Sequence, residues 1–111
     1  MKILVTGSTG FVARNLIEYF KNEDITGTNR GVLDLRNRVQ FDEFMSNKTF
    51  DIIFHTAMVG GRRDEDTDSK TLFDNVTMFY NILRHRNKFG KIFNFGSGAE
   101  LDRFTPTQDV E

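Results

Sequence analysis

Apolar positions along the chain follow two alternating periods. Lys2–Thr6 is a continuous apolar run closed by Gly7, the pattern of a parallel strand covered on both faces. Phe11–Lys21 then places Val12, Ala13, Leu16, Ile17 and Phe20 at helical spacing, and Asn22 with Glu23-Asp24 closes it. Asp24–Thr28 reads as a weak second strand, and Arg38–Asn47, with Phe41, Phe44 and Met45 apolar, as a short second helix. Phe50–Ala57 carries Ile52, Ile53 and Phe54 in sequence and predicts a strong third strand. After a polar loop at Gly60–Asp68, Leu72, Val76, Phe79 and Leu83, with Phe73 and Tyr80 beside them, mark a long helix from about Thr67 to Asn87. Lys91–Phe95 predicts a fourth strand, stopped by Gly96.

Strand alternating with helix implies parallel pairing through right-handed crossovers, and so an α/β sheet with helices on both faces. The expected architecture is the N-terminal half of a Rossmann-like doubly wound parallel sheet, with strand order 3-2-1-4. The fourth strand, reading Ile92-Phe93-Asn94-Phe95, would then be an apolar edge, and such edges pair with something. The tail Asp102–Glu111 has no periodicity with which to cover it, so chain beyond Glu111 or another subunit is expected to do so.

Composition narrows the function classes. A chain of 111 residues is one domain at most. Fifteen Lys+Arg against sixteen Asp+Glu leave a net charge of −1, which gives no global pull toward nucleic acid or an anionic membrane, and neither is expected as a partner. Zero cysteines exclude disulfides, thiolate metal sites and a cysteine nucleophile. No metal is inferred from the two histidines, which lack carboxylate-rich spacing around them. The Lys2-Ile3-Leu4-Val5 run ends too soon for a signal peptide, and no run approaches the roughly 18 residues of a membrane span, so a cytoplasmic location is expected.

The turn Thr6-Gly7-Ser8-Thr9-Gly10-Phe11-Val12-Ala13 lies between the first strand and the first helix, where open parallel sheets bind phosphates. Gly7 lets the chain turn sharply, Gly10 lets backbone N–H groups approach a diphosphate, and Ala13 lets helix and strand pack closely. The helix N-terminus adds about half a positive charge and unpaired N–H donors. A dinucleotide is therefore expected here. At the end of the second strand, NAD users place an acid for the ribose, whereas NADP users place an Arg. Gly27-Thr28-Asn29-Arg30 has no acid and one Arg, which favours NADP over NAD.

These residues resemble the extended short-chain dehydrogenase/reductase family, the NAD(P)-dependent sugar-nucleotide epimerases, dehydratases and reductases. The likeness rests on Thr6-Gly7-x-x-Gly10-x-x-Ala13, Leu33-Asp34-Leu35, Phe54-His55-Thr56-Ala57, Asn75-Val76 with Asn81-Ile82-Leu83, and Phe93-Asn94-Phe95-Gly96-Ser97. Within the family, Arg30-x-x-Leu33-Asp34-Leu35 and Val59-Gly60-Gly61 look most like the GDP-L-fucose synthase group. The resemblance implies that Gly7, Ser8, Thr9, Gly10, Phe11 and Val12 hold the diphosphate, and that Arg30 meets the 2′-phosphate. It further implies that Asp34 and Leu35 flank the adenine, that Thr56, Ala57 and Asn75 line the cofactor, and that Ser97 is the catalytic serine. A nucleotide-sugar substrate is implied, and so is a homodimer, since family members often dimerise through helices that include the long third one.

The family's proton-transfer pair, a Tyr-x-x-x-Lys motif, is missing: Tyr19 leads to Glu23 and Tyr80 to Arg84. Both tyrosines sit among apolar neighbours on helical segments, so core packing is expected of each. The 111 residues thus read as a partial NAD(P)-binding domain without the catalytic Tyr-Lys region and substrate domain, inactive alone. His55, ending an apolar strand, reads as a buried, hydrogen-bonded histidine, and Arg84-His85-Arg86-Asn87-Lys88 as cations complementing a helix C-terminus. Two rival readings are a non-catalytic NADP(H)-binding regulatory module and a small scaffold pairing through its fourth-strand edge.

Overall fold

The computed structural model describes residues 1–58 and 69–95. Four parallel strands and three helices alternate: β1 Lys2–Thr6, α1 Phe11–Tyr19, β2 Asp24–Thr28, α2 Arg38–Met45, β3 Phe50–His55, α3 Ser69–Leu83, a 3₁₀ turn Arg86–Lys88, and β4 Phe89–Asn94. The α/β fold and its order of elements match the sequence pattern. Element ends shift by a few residues, chiefly because Phe20 and the segment after Leu83 leave helical geometry early. The expected polar loop, Val59 and Ser97 lie outside the described residues, as does the tail.

The strand order is β2-β1-β3-β4, which corrects the expected 3-2-1-4. The segment between β2 and α2 explains the difference. Leu33 and Leu35 bury their side chains under the sheet, and the chain crosses from β2 past β1 to lay β3 on its far side. The reversal of direction puts α1 on one face, with α2 and α3 on the other. Ile3, Val5, Ala13 and Phe54 form the core under α1, with Leu16, Ile17 and Phe20 packed against it. Leu4, Phe41, Met45, Ile53, Met78 and Ile82 fill the opposite core. Ala13, with no exposed surface, permits the close contact of α1 with β1 that its small size suggested. Val12 instead faces solvent, 42% exposed.

Parallel register aligns the carboxyl ends of all four strands. Thr28 pairs with Thr6, Thr6 with His55, and His55 with Asn94. The apolar runs therefore stop along one polar row, and everything built beyond that row shares one edge of the sheet.

The orientation of α3 reverses the expectation that Tyr80 packs in the core. Its inward positions are Asp74, Met78, Asn81 and Ile82, while Leu72, Phe73, Val76 and Tyr80 are exposed. Tyr19, 80% exposed at the end of α1, is likewise not a core residue. A hydrophobic period cannot by itself say which neighbour a helix face meets. Here the inward polar residues have partners, since Asn81 Nδ2 donates to Leu35 O at 2.8 Å and Asp74 pairs with Arg36 at 3.4 Å. Buried polar groups satisfied in this way carry little desolvation penalty. Phe93 and Phe95 of the β4 region are 45% and 41% exposed, so among the described residues β4 is the apolar edge that the sequence implied.

Candidate functional site

The turn after β1 is shaped by contact with β3. Gly7 has φ of +65°, a conformation that glycine adopts without a Cβ clash. A Cβ there would also lie 2.8 Å from both the Cα and the N of Ala57. The turn is then fastened on two sides. Ser8 N–H donates to Thr28 O at 2.8 Å, and Gly10 N–H to Gly7 O at 3.0 Å. Thr6 Oγ1 accepts from Thr56 N–H at 3.0 Å and Ala57 N–H at 3.2 Å, which draws the end of β3 against the turn.

Gly10 is a different case. It is the N-cap of α1 at φ −77° and ψ 168°, extended backbone open to any residue, and a Cβ would meet only Gly7 O at 3.5 Å. Neither backbone conformation nor internal crowding calls for glycine here. What a Cβ would occupy is open space over the helix N-terminus. No side chain caps that terminus and no acid lies in its first turn. The leading N–H groups of α1 thus face outward with the positive end of the helix dipole behind them, an arrangement suited to an anion. Phe11 and Val12, 75% and 42% exposed, stand at the same opening.

Beside the turn lies a cavity of about 180 Å³ at the carboxyl edge of the sheet. Gly7, Thr9, Arg30, Asp34, Leu35 and Ala57, all expected at the site, line it. Ser8, Gly10 and Thr56 belong to the adjoining turn, and Asn75 lies on α3 outside the cavity lining. Thr28, Asn29, Leu33, Met58 and Met78 complete the wall, and none of them was singled out as a site residue from the sequence. Thr28 and Asn29 were within reach of sequence reasoning, as the last residue of β2 and the one after it; Met78 was not, because only the fold brings the middle of α3 to this place. Two hollows at the opposite edge, around Lys2, Thr49 and Phe50, include a larger one of about 270 Å³. They sit at the amino ends of the strands, whereas open parallel sheets bind ligands at the carboxyl ends.

The 33–36 segment of the wall is held from three directions. Asn81 binds Leu35 O, Asp34 N–H donates to Gln40 Oε1, and Arg36 forks onto both oxygens of Asp34 at 3.0 and 2.9 Å before reaching Asp74. The hydrogen bond from Arg36 holds the Asp34 carboxyl below the usual carboxylate range, so it stays ionised. Arg30 is exposed, and no described residue forms an ion pair with it. His55 is buried, and burial lowers its pKa to about 4, so at neutral pH the ring is uncharged. Among the described residues no group of three His, Cys, Asp or Glu side chains could hold a metal ion, and no helix is long and apolar enough to cross a membrane.

Comparison with known proteins finds relatives in sequence and in fold. GDP-L-colitose synthase of Yersinia pseudotuberculosis is 32% identical over 106 residues, covering 89% of this chain and 34% of that protein. Among solved structures, GDP-mannoheptose C4 reductase from Campylobacter jejuni with NADP bound superposes with a TM-score of 0.77 at 22% identity, over 87% of this chain and 33% of that one. A GDP-L-fucose synthetase from Naegleria fowleri bound to NADP gives 0.61 at 27% identity, over 84% and 30%. The chain therefore spans about a third of the length of these relatives. The model of the NAD dependent epimerase/dehydratase family matches residues 3–111, from the first strand through the last residue, and the chain belongs to that family.

Proposed function

We propose that this chain forms the dinucleotide-binding part of a nucleotide-sugar epimerase, dehydratase or reductase, and that its dinucleotide is NADP. The observation that carries the reading is Gly10, a glycine that the fold does not need, at a helix N-terminus with no cap. Gly7, Ser8, Thr9 and Gly10, with the amides of Phe11 and Val12, would hold the diphosphate. Asp34 and Leu35 would flank the adenine, and Thr56, Ala57 and Asn75 would line the remainder. Arg30 supplies the cation that a 2′-phosphate calls for, and two of the related structures carry NADP. NAD is the alternative dinucleotide.

The bound dinucleotide supplies hydride chemistry at carbon, which needs a matched proton transfer at oxygen. The residues described here bind and orient; none is placed to move that proton. Tyr19 and Tyr80 are solvent-exposed on α1 and α3, and neither is followed four positions later by lysine. Ser97 is proposed as the catalytic serine, orienting the substrate carbonyl. The 111 residues alone are thus proposed to bind dinucleotide without turning over sugar. A second copy is the proposed partner of α3: a two-fold axis sets like against like, and the outward stripe Leu72, Phe73, Val76 and Tyr80 is apolar and so self-complementary.

Titration of the chain with NADPH, followed by nicotinamide fluorescence, tests the reading. Saturable one-to-one binding is expected, displaced by NADP and unaffected by GDP-sugar alone. Absence of binding at millimolar NADPH would remove the oxidoreductase assignment and favour the scaffold reading.

A further inference from the structure

Where β1 and β3 end together, a buried set of polar groups uses every hydrogen bond that Thr6 can make. The Thr6 side chain has no exposed surface. Its Oγ1 accepts from the amides of Thr56 and Ala57, which occupies both lone pairs, and Thr56 Oγ1 donates back to Thr6 O. The hydroxyl proton then goes to His55 Nδ1, 2.8 Å away. The imidazole is held in place to receive it. Its ring is buried, lies against Phe79 of α3 with centroids 6.2 Å apart and planes 24° from parallel, and its backbone is paired in register with Thr6 on one side and Asn94 on the other.

The amides held in this way belong to the segment that touches the glycine turn. A Cβ at Gly7 would lie 2.8 Å from the Ala57 backbone, so Gly7 and Ala57 meet with no slack between them, and both line the cavity. Without an acceptor at position 55 the hydroxyl turns its proton toward some other group. Its lone pairs rotate with it, and the Thr56 and Ala57 amides lose their alignment. A binding turn holds a ligand tightly when its geometry is fixed before the ligand arrives. Resting on the dinucleotide reading above, we infer that His55, although outside the cavity lining, is a positioning residue of the dinucleotide site: acting through Thr6, its ring nitrogen holds Ala57 against the glycine turn and so sets the affinity for dinucleotide.

His55→Asn and His55→Gln test it, because both are uncharged amides that differ in where the oxygen sits. Asparagine places Oδ1 two bonds from Cβ, as the imidazole places Nδ1, and can accept the Thr6 proton; glutamine carries its oxygen one bond further out and misses it. NADPH is titrated into the wild-type chain and each variant by nicotinamide fluorescence, under conditions where circular dichroism shows the chain folded. His55→Asn is expected to bind within about threefold of wild type, and His55→Gln to lose about tenfold or more. Thr6→Val, which removes the hydroxyl, should lose as much, and adding His55→Gln to it should cost nothing further. A histidine that only fills the core would lower the urea midpoint of these variants and leave the affinity of the folded chain unchanged. That result, or additive losses in the double variant, overturns the inference while leaving dinucleotide binding intact. If His55→Gln does not fold, His55→Phe, a ring without an acceptor, takes its place with the same expectation, and failure of both to fold makes the role one of stability and overturns the inference as well. A wild-type chain that takes up no NADPH overturns the dinucleotide reading and this inference together.

Discussion

Thr6 Oγ1 lies 2.8 Å from His55 Nδ1, between two residues paired in register across β1 and β3. The hydroxyl already accepts from the amides of Thr56 and Ala57, so its one proton goes to the imidazole. Nδ1 is then an acceptor, and the ring hydrogen sits on Nε2. The bond is consistent only with neutral His55.

A pH dependence follows, with a definite sign. Burial lowers the pKa of His55 from 6.5 to about 4, so below pH 6.5 the unfolded chain takes up a proton that the folded one refuses. Stability is expected to fall between about pH 6.5 and about pH 4, by on the order of 3 kcal/mol, and to level off below for this group. Urea unfolding at stepped pH measures it, and His55→Phe should flatten the curve over that interval. Parallel curves for the two proteins would mean that the histidine titrates alike in both states.

The two glycines of the turn should separate stability from binding. Gly7→Ala meets both a left-handed φ and the backbone of Ala57, and is expected to cost about 2 kcal/mol or more in a denaturant melt. Gly10→Ala should melt within about 0.5 kcal/mol of wild type yet lose most NADPH affinity, because its methyl enters space that only a ligand uses. Undiminished NADPH binding by Gly10→Ala would show that no diphosphate approaches there.

Asn81 ties the cavity wall to α3. Asn81→Leu leaves the buried carbonyl of Leu35 without its donor, for an expected loss of about 1–3 kcal/mol, read from the urea midpoint. NADPH affinity should fall as well, since Leu35 lines the cavity. An unchanged midpoint would mean that water replaces the amide at no cost.

The outer face of α3 can be tested without touching the core. Phe73→Glu with Val76→Glu alters residues that are 68% and 57% exposed, so the folded chain should keep its stability within about 1 kcal/mol. Sedimentation of the wild type should show a concentration-dependent dimer that the double variant lacks. A wild-type mass equal to 12.9 kDa at all concentrations would exclude association through this helix.

Much of this site was legible before any coordinates, and the part that was not has a common cause. The glycine turn could be read because its meaning is local: a strand ends, a helix begins, and the residues between must be small. Arg30 was singled out as a neighbour of a strand end and Asp34 through the family resemblance, and the fold brings both to the cavity wall. Met58, Met78 and the Asn81 clamp were missed because each acts on residues distant in sequence. Tyr19 and Tyr80 were misjudged by one error, taking apolar company on a helix as proof of burial.

The amino-acid order by itself determined the alternation of elements, the parallel sheet and the position of the glycine turn, because period, glycine placement and strand length are properties of short segments. Tertiary structure alone decided the order β2-β1-β3-β4, the inward turn of Asp74 and Asn81, and the hydrogen bond between Thr6 and His55. Those depend on which surfaces meet, and a helix with two usable faces commits to one only when its neighbours supply the partners.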